Sequence, residues 1–406
     1  MQRWLKFAKY LPDFGITPVV FTAENPEYAM TDMSLEKEVS PELEVLRGPI
    51  WEPNKLLARL GGSKKSASAG FLDSRPSPMA RFLRYIRANF FIPDARCFWI
   101  KPSVSSLKNY LEDKNVDVIV TTGPPHSVHL IGLALKKELG IKWVADFRDP
   151  WTSIDYFHRL PLTSRSKEKH LKMEREVISA ADRVLVVGEQ MKKEFMAYSD
   201  EVYVIPNGYD GTDAGKPMAL DEEFTLTYAG LMNADRNPER LWEVMGEMVK
   251  EDPSFGARLK LRFVGSCSPE VLKSLEENGL SDNLDLLGYR DHEEVSKYQR
   301  SAQVLLLTVN RVPSARGIVT GKIFEYMRAM RPVMAIGPVD GDLAAILEET
   351  RCGEIVDFSD EKGMRDMIRK LYQEYTEGNL RVSSRGIEKY HRRNLTGELS
   401  ELLKDL

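Results

Sequence analysis

The stretch "GIVTGKIFEYMRAMRPVMAIGP" (residues 317–338) decides the fold. A glycine-bearing loop leads into a helical pattern whose first turn carries Lys322 and Glu325, and the apolar run "RPVMAIG" follows at once. A loop, a helix and a short strand without polar alternation form the repeating unit of a parallel sheet covered on both faces. One detail does not belong to a plain scaffold: a helix start favours an anion, not a cation. If Thr320 or Gly321 begins the helix, free backbone N–H groups surround Lys322, and together they make an anion site. Glu325 lies one turn deeper on the same face and can accept hydrogen bonds from a ribose diol. The two residues match the two ends of a diphosphate–ribose unit; an ordinary i,i+3 surface pair is the other reading.

Outward from this stretch, the same unit repeats. The runs 224–230, 259–265, 284–289, 302–309, 331–337 and 353–358 are short and β-branched or leucine-rich, and each precedes a helical pattern. An earlier series does the same at 17–23, 116–123, 141–147, 182–188 and 201–208. Alternation of this kind predicts an α/β chain with two doubly wound parallel sheets. A linker is expected near 208–222, where Gly, Asp and Pro cluster. The expected domains are 1–208, 209–382 and a closing helix over 383–406 that adds no strand.

In open α/β sheets ligands sit at the carboxyl ends of the strands. "TYAGLMNADRNPERLW" (227–242) ends a strand at Gly230 and carries Arg236 in a polar loop before a helix start marked by Pro238. Arg236 and Lys322 can thus face one diphosphate from two sides, although Arg236 can equally cap a neighbouring helix. "FVGSCSPE" (263–270), with Gly265 and Ser266, is a third glycine turn at the same edge. "VDGDLAAIL" (339–347) copies an Asp-x-Asp metal motif at Asp340 and Asp342, but its place before a helix favours a cap, and no metal is expected.

Bulk properties narrow the function. The 406 residues are 42% hydrophobic and 29% charged, which suits a soluble globular protein, and a net charge of −4 gives no support to nucleic-acid binding. Cys97, Cys267 and Cys352 lie far apart and read as reduced thiols without metal spacing. No apolar run reaches the ~20 residues of a membrane span. "MQRWLKFAKYLPDFG" is not a signal peptide, so a cytoplasmic location is expected. Two segments break the rhythm. "GGSKKSASAG" (61–70) reads as a flexible loop, and 75–101 holds five Arg and one Lys against one Asp, interleaved with aromatics. The second is either a solvated helix or a surface for the inner face of an anionic membrane.

Taken together, "IPNGYD" (205–210), "TYAG" with Arg236 and Pro238, "FVGS", "LLGY" with "HEEVSKYQRSAQVLLL", and "TGKIFEYMRAMRPVMAIGP" resemble the donor half of family 4 glycosyltransferases. "DVIVTTGPPHSVHLIGLALKKELGIKWVADFRDPWT" (117–152) resembles the acceptor half of a bacterial branch acting in surface polysaccharide synthesis. The resemblance covers nearly the whole chain. It implies two Rossmann-like domains facing across a cleft (the GT-B fold) and a retaining, metal-independent transfer. The donor would be a nucleoside-diphosphate sugar, and the acceptor a glycan, a lipid-linked molecule or a small molecule. It further implies that Arg236 and Lys322 hold the diphosphate, with Gly230, Gly265, Ser266, Thr320 and Gly321 around it. Glu325 would hold the ribose, and the main chain at Tyr289 and Arg290 would meet the base. His126 would reach the donor sugar across the cleft; standing alone it reads as a helix-start residue with a satisfied ring. Asp146 and Asp149 are the acceptor-side candidates.

Two departures matter. Gly317 stands where the family's usual first glutamate precedes Glu325 by eight residues, which leaves the sugar open. The chain also opens in a helix rather than in the family's strand and glycine loop, so a start inside the first domain is expected. A sugar-nucleotide 2-epimerase of the same fold and a truncated, non-catalytic homologue are the alternative functions.

Overall fold

The computed structural model describes residues 2–26, 35–52, 77–211 and 218–406. The expected loop at 61–70, the first two residues of the basic stretch and 212–217 of the linker lie outside them. The chain divides into two units, Met1–Pro206 with Arg392–Leu406, and Asn207–His391.

In the first unit the strands are β1 (Val19–Ala23), β2 (Glu44–Gly48), β3 (Val118–Gly123), β4 (Lys142–Phe147), β5 (Arg183–Val186) and β6 (Val202–Val204). Among the described residues all pairing is parallel, in two separate sheets: β1 with β2, and β3-β4-β5-β6 in order. Among the described residues, β1 and β3 each carry a ladder on one edge only. The helices are α1 (Gln2–Tyr10), α2 (Pro78–Phe90), α3 (Ile100–Asp113), α4 (Ser127–Leu139), α5 (Ser164–Ala180) and α6 (Glu189–Phe195). Both sheets nevertheless share one helical cover. Trp99, Val104, Ile131 and Leu135 from the α3–α4 layer pack against Ala23 and Phe21 of β1 and against Ile119 of β3. On the opposite face, Phe7 of α1 meets Val144 and Leu185, together with Leu395 and Leu399 of the C-terminal helix.

The basic stretch is not one continuous helix. It forms α2, a loop with a 3₁₀ turn at Cys97–Trp99, and the first residues of α3. No residue of α2 is buried, and Phe82 and Phe90 are 58% and 72% exposed.

The second unit holds one six-stranded parallel sheet, β12-β11-β10-β7-β8-β9. Its strands are β7 (Phe224–Ala229), β8 (Leu259–Val264), β9 (Leu284–Gly288), β10 (Val304–Thr308), β11 (Val333–Ile336) and β12 (Gly353–Val356). Its helices are α7 (Glu239–Glu251), α8 (Pro253–Arg258), α9 (Pro269–Glu277), α10 (His292–Ser301), α11 (Lys322–Ala329), α12 (Asp342–Thr350) and α13 (Glu361–Thr376). All six residues of β7 are buried, as expected of a strand covered on both faces. Phe224, Leu226 and Tyr228 enter one core with Trp242 and Phe263, and Ala229 enters the other with Ile323 and Phe324.

The strand order reverses at β7, and β10 pairs with β7 through Val304–Leu226 and Leu305–Thr227 alone. Past that point the strands part. The Tyr326 hydroxyl of α11 bridges them, accepting from Ala229 N at 3.1 Å and donating to Leu306 O at 3.2 Å. The closing helix is shorter than expected: α14 runs Arg392–Lys404, a 3₁₀ turn occupies Ile387–Tyr390, and α14 belongs to the first unit.

Candidate active site

The parting of β7 and β10 is where an open α/β sheet offers a crevice. Gly230 ends β7 at φ 109°, and a Cβ there would stand 2.9 Å from Lys322 Cε. Glycine is favoured there by its positive φ, and the Lys322 stem lies across it. The Lys322 amine donates to the Tyr228 hydroxyl at 3.1 Å and sits 4.8 Å from that ring's centre. Tyr228 in turn donates to the Leu231 carbonyl at 2.9 Å. Arg236 reaches the same carbonyl with Nη1 at 3.4 Å, and its Nε donates to Asn310 Oδ1 at 2.7 Å. One backbone oxygen thus ties Lys322 and Arg236 to a single turn.

Neither residue forms an ion pair among the described residues, although both are half-buried. Two partly desolvated cations tied to one carbonyl, with no ion-pair partner among the described residues, set up an anion site. Lys322 opens α11, and Gly321 before it supplies no capping side chain. The first-turn N–H groups of α11 therefore add to the same positive end.

The neighbouring turns are sewn to this one. Gly230 N donates to Val264 O at 2.7 Å and Met232 N to Ser266 O at 2.9 Å. Gly265 also bridges to Gly288, which brings Tyr289 and Arg290 alongside. Tyr289 is 82% exposed, whereas Arg290 is half-buried with its Nε enclosed and unpartnered. The enclosed Asn233 Oδ1 and Thr320 Oγ1 also have no partner. Buried polar atoms are rarely left unpaired without a functional reason. Glu325 accepts from Gln299 Nε2 of α10 at 3.2 Å, which holds its carboxylate one turn into α11.

Sequence reading missed Tyr228, Asn310 and Gln299. Each acts through a partner distant in the chain, and no local spacing marks them. The cap expected from the Asp-x-Asp motif does not form: Gly341 holds the N-cap without a side-chain cap bond, Asp342 is the buried first residue of α12, and Asp340 pairs with Arg316 at 2.8 Å.

In the first unit, the turn after β3 presents His126. Asp94 caps α4, accepting from Ser127 N at 2.9 Å and Ser127 Oγ at 2.6 Å. Arg148 clamps the turn from below through Gly123 O, at 3.2 Å from its Nε, and through Pro124 O. The His126 ring stacks on Trp151 at 4.7 Å and 4°. Its pKa falls well below the ordinary imidazole range, first because burial penalises the charge and then because His129, His170 and Arg148 repel it. His126 is therefore neutral at physiological pH.

Asp146 does not face an acceptor. It is fully enclosed and accepts from Arg3 Nη2 at 2.9 Å, Trp4 Nε1 at 2.6 Å and Thr122 Oγ1 at 2.8 Å, so it anchors α1 to β4. Asp149 remains exposed to solvent. Neighbouring protein raises its carboxyl pKa by desolvation, against the pull of Arg148 and with the push of Asp155.

Comparison with known proteins gives a consistent answer. A family model described as Glycosyltransferase Family 4 matches residues 3–212, and one described as Glycosyl transferases group 1 matches 223–374. No curated protein matches the sequence. Among solved structures, the chain is similar to Anabaena HepE in complex with UDP-glucose. Identity there is 12%, coverage is 100% of this chain and 95% of that one, and the TM-score is 0.60. Sucrose-phosphate synthase from Thermosynechococcus elongatus is 17% identical over 98% and 91% of the two chains, with a TM-score of 0.59. WaaG, a glycosyltransferase involved in lipopolysaccharide biosynthesis, is 12% identical over 99% and 95%, with a TM-score of 0.56. At these identities the likeness is one of fold.

Proposed function

This chain belongs to glycosyltransferase family 4, and from that premise we propose that it moves a sugar from a nucleoside-diphosphate donor to a glycan, lipid-linked or small-molecule acceptor with retention. The observation that carries the donor class is the pair of uncompensated cations, Lys322 and Arg236, joined through the Leu231 carbonyl at the N-terminus of α11. HepE, a protein of similar fold, was solved with UDP-glucose, which agrees with this class of donor.

When the bond from the anomeric carbon to the diphosphate breaks, negative charge grows on the leaving oxygen. Lys322, Arg236 and the α11 amides stabilise that charge from fixed positions, the kind of preorganisation that usually dominates catalysis. They supply the positive charge themselves, so the proposed step runs without a divalent ion. Glu325, held by Gln299, takes the ribose hydroxyls, and the 288–290 turn takes the base. In the first unit, neutral His126 is the group proposed to meet the sugar and Asp149 the one proposed to meet the acceptor. Asp146 is left out because the fold engages both its oxygens.

For location we propose the cytoplasm, with α2 resting on an anionic membrane surface. No described helix is long and apolar enough to cross a membrane.

The test is incubation of the full chain with UDP-, GDP- and ADP-sugars, with and without glycan acceptors. NMR reads nucleotide release and the anomeric configuration of the product. Acceptor-dependent release with a retained anomer is expected. An epimerised sugar nucleotide in the absence of acceptor would instead establish the 2-epimerase. No binding of any donor in a thermal-shift panel would sink the donor class, since a ligand at 100 times its dissociation constant adds about 2.7 kcal/mol.

A further inference from the structure

We propose that His129 is a positioning residue that holds His126 with its proton on Nε2, so that His126 meets its ligand as a hydrogen-bond donor. The inference deepens the role given to His126 above and rests on it.

His129 lies in the first turn of α4 and is fully buried. Its ring stacks on Phe147 at 4.3 Å, and its Nδ1 lies 2.9 Å from Thr121 Oγ1. The Trp143 indole, which can only donate, reaches the same hydroxyl at 2.9 Å. The Thr121 hydroxyl hydrogen has no other acceptor among the described residues, so it is given to His129 Nδ1. The His129 proton is then on Nε2.

That N–H has no acceptor: His129 Nε2 is buried without a partner, and so is His126 Nδ1. Both nitrogens flank the missing side chain of Gly123. A Cβ there would stand 2.5 Å from His129 Nε2 and 3.1 Å from His126 Nδ1. A donor on one ring and a lone pair on the other, with the ring centres 5.9 Å apart and both atoms beside Gly123, complement each other. The His126 lone pair then lies on Nδ1 and its proton on Nε2.

The surroundings prevent escape from this arrangement. His126 is sandwiched on Trp151, whose indole N–H is itself tied to His170 Nδ1 at 3.1 Å. Burial keeps the rings neutral, bringing the pKa of His129 down to about 3. Donation therefore runs one way, from Trp143 on β4 through Thr121 on β3 to His129 and on to His126. Gly123, where a Cβ would stand 2.5 Å from His129 Nε2, is the residue that lets the two rings pack this close.

Side-chain ¹⁵N spectra of the histidines in the full chain read the tautomer directly. There are six histidines, and the spectrum of His126→Gln identifies the His126 signals by their loss. Expected is a protonated Nε2 and a bare Nδ1 on His126 in the parent. In His129→Phe, which keeps a ring against Phe147 but has no N–H, both tautomers should appear. Its kcat should fall at least about tenfold while KM stays nearly constant. His129→Gln, whose amide can donate from the same place, should partly restore the single tautomer and the rate. If His129→Phe does not fold, Thr121→Val cuts the relay one step earlier and should mix the tautomers too. A parent His126 protonated on Nδ1, or an unchanged His126 spectrum in either relay variant, overturns the proposal. Because the tautomer is read without substrate, normal turnover by His126→Gln would refute the sugar-facing role and leave the relay standing.

Discussion

At Lys322 the amine has the Tyr228 hydroxyl and ring beside it and, among the described residues, no carboxylate within ion-pair distance. Its charge is therefore free to act on an incoming anion. Lys322→Ala and Arg236→Ala are each expected to lower turnover at least ~10²-fold, the scale for losing one donor aimed at developing charge. Both enzymes should melt near the parent temperature. Activity within threefold of the parent in both, in a nucleotide-release assay, would remove the leaving-group role. The buried imidazoles make a separate prediction. His129 and His170 have folded pKa values of about 3 and about 4 against 6.5, so the fold favours their neutral forms. The stability they contribute is fully present above pH 6.5 and is lost as pH falls toward those folded values. Between pH 6.5 and 5 the loss is about 2 kcal/mol for each ring. Thermal melts across that range should show the decline, and His170→Gln should flatten it.

At the scale of elements, α1 is held to its sheet by a buried charge. Arg3 is 5% exposed and Asp146 fully enclosed, so removing the acid strands a guanidinium away from water. Asp146→Ala is expected to destabilise the first unit by about 3–5 kcal/mol in urea unfolding. An unchanged midpoint would mean that Arg3 finds water when Asp146 is gone. This anchor also shows where sequence reading stops. The apolar run at 224–230 was legible as a strand because burial on both faces leaves an unmistakable pattern, whereas 17–23 was legible from its β-branched run alone, since only Ala23 of β1 is buried. β2 was not, since "EVLRG" spans five residues and carries two charges. Lys322 and Arg236 could be named from glycine turns and helix starts, which are local signals. The enclosure of Asp146 could not, because Arg3 and Trp4 lie more than 140 residues away in the chain.

At the scale of the molecule, α2 stands out as a helix with no buried face. Arg81, Arg84 and Arg87 lie on the same short element as exposed Met79, Phe82, Tyr85 and Phe90, without an acidic residue among them. Basic and aromatic side chains on one surface helix suit an anionic headgroup layer. Co-sedimentation with vesicles containing phosphatidylglycerol, weakened by 0.5 M salt and by Arg81→Glu with Arg87→Glu, is expected. Equal binding to purely zwitterionic vesicles would rule out the electrostatic part. The divided sheet of the first unit carries a consequence of its own. β4 is hydrogen-bonded along both margins, whereas β1 and β3 each have one margin with no ladder among the described residues. Amides on those margins have no carbonyl to release before they meet solvent. In deuterium-uptake experiments, 19–23 and 118–123 should therefore label well before 142–147, even though one helical layer covers all three strands' neighbourhood. The seam between the two sheets is where this unit would begin to open.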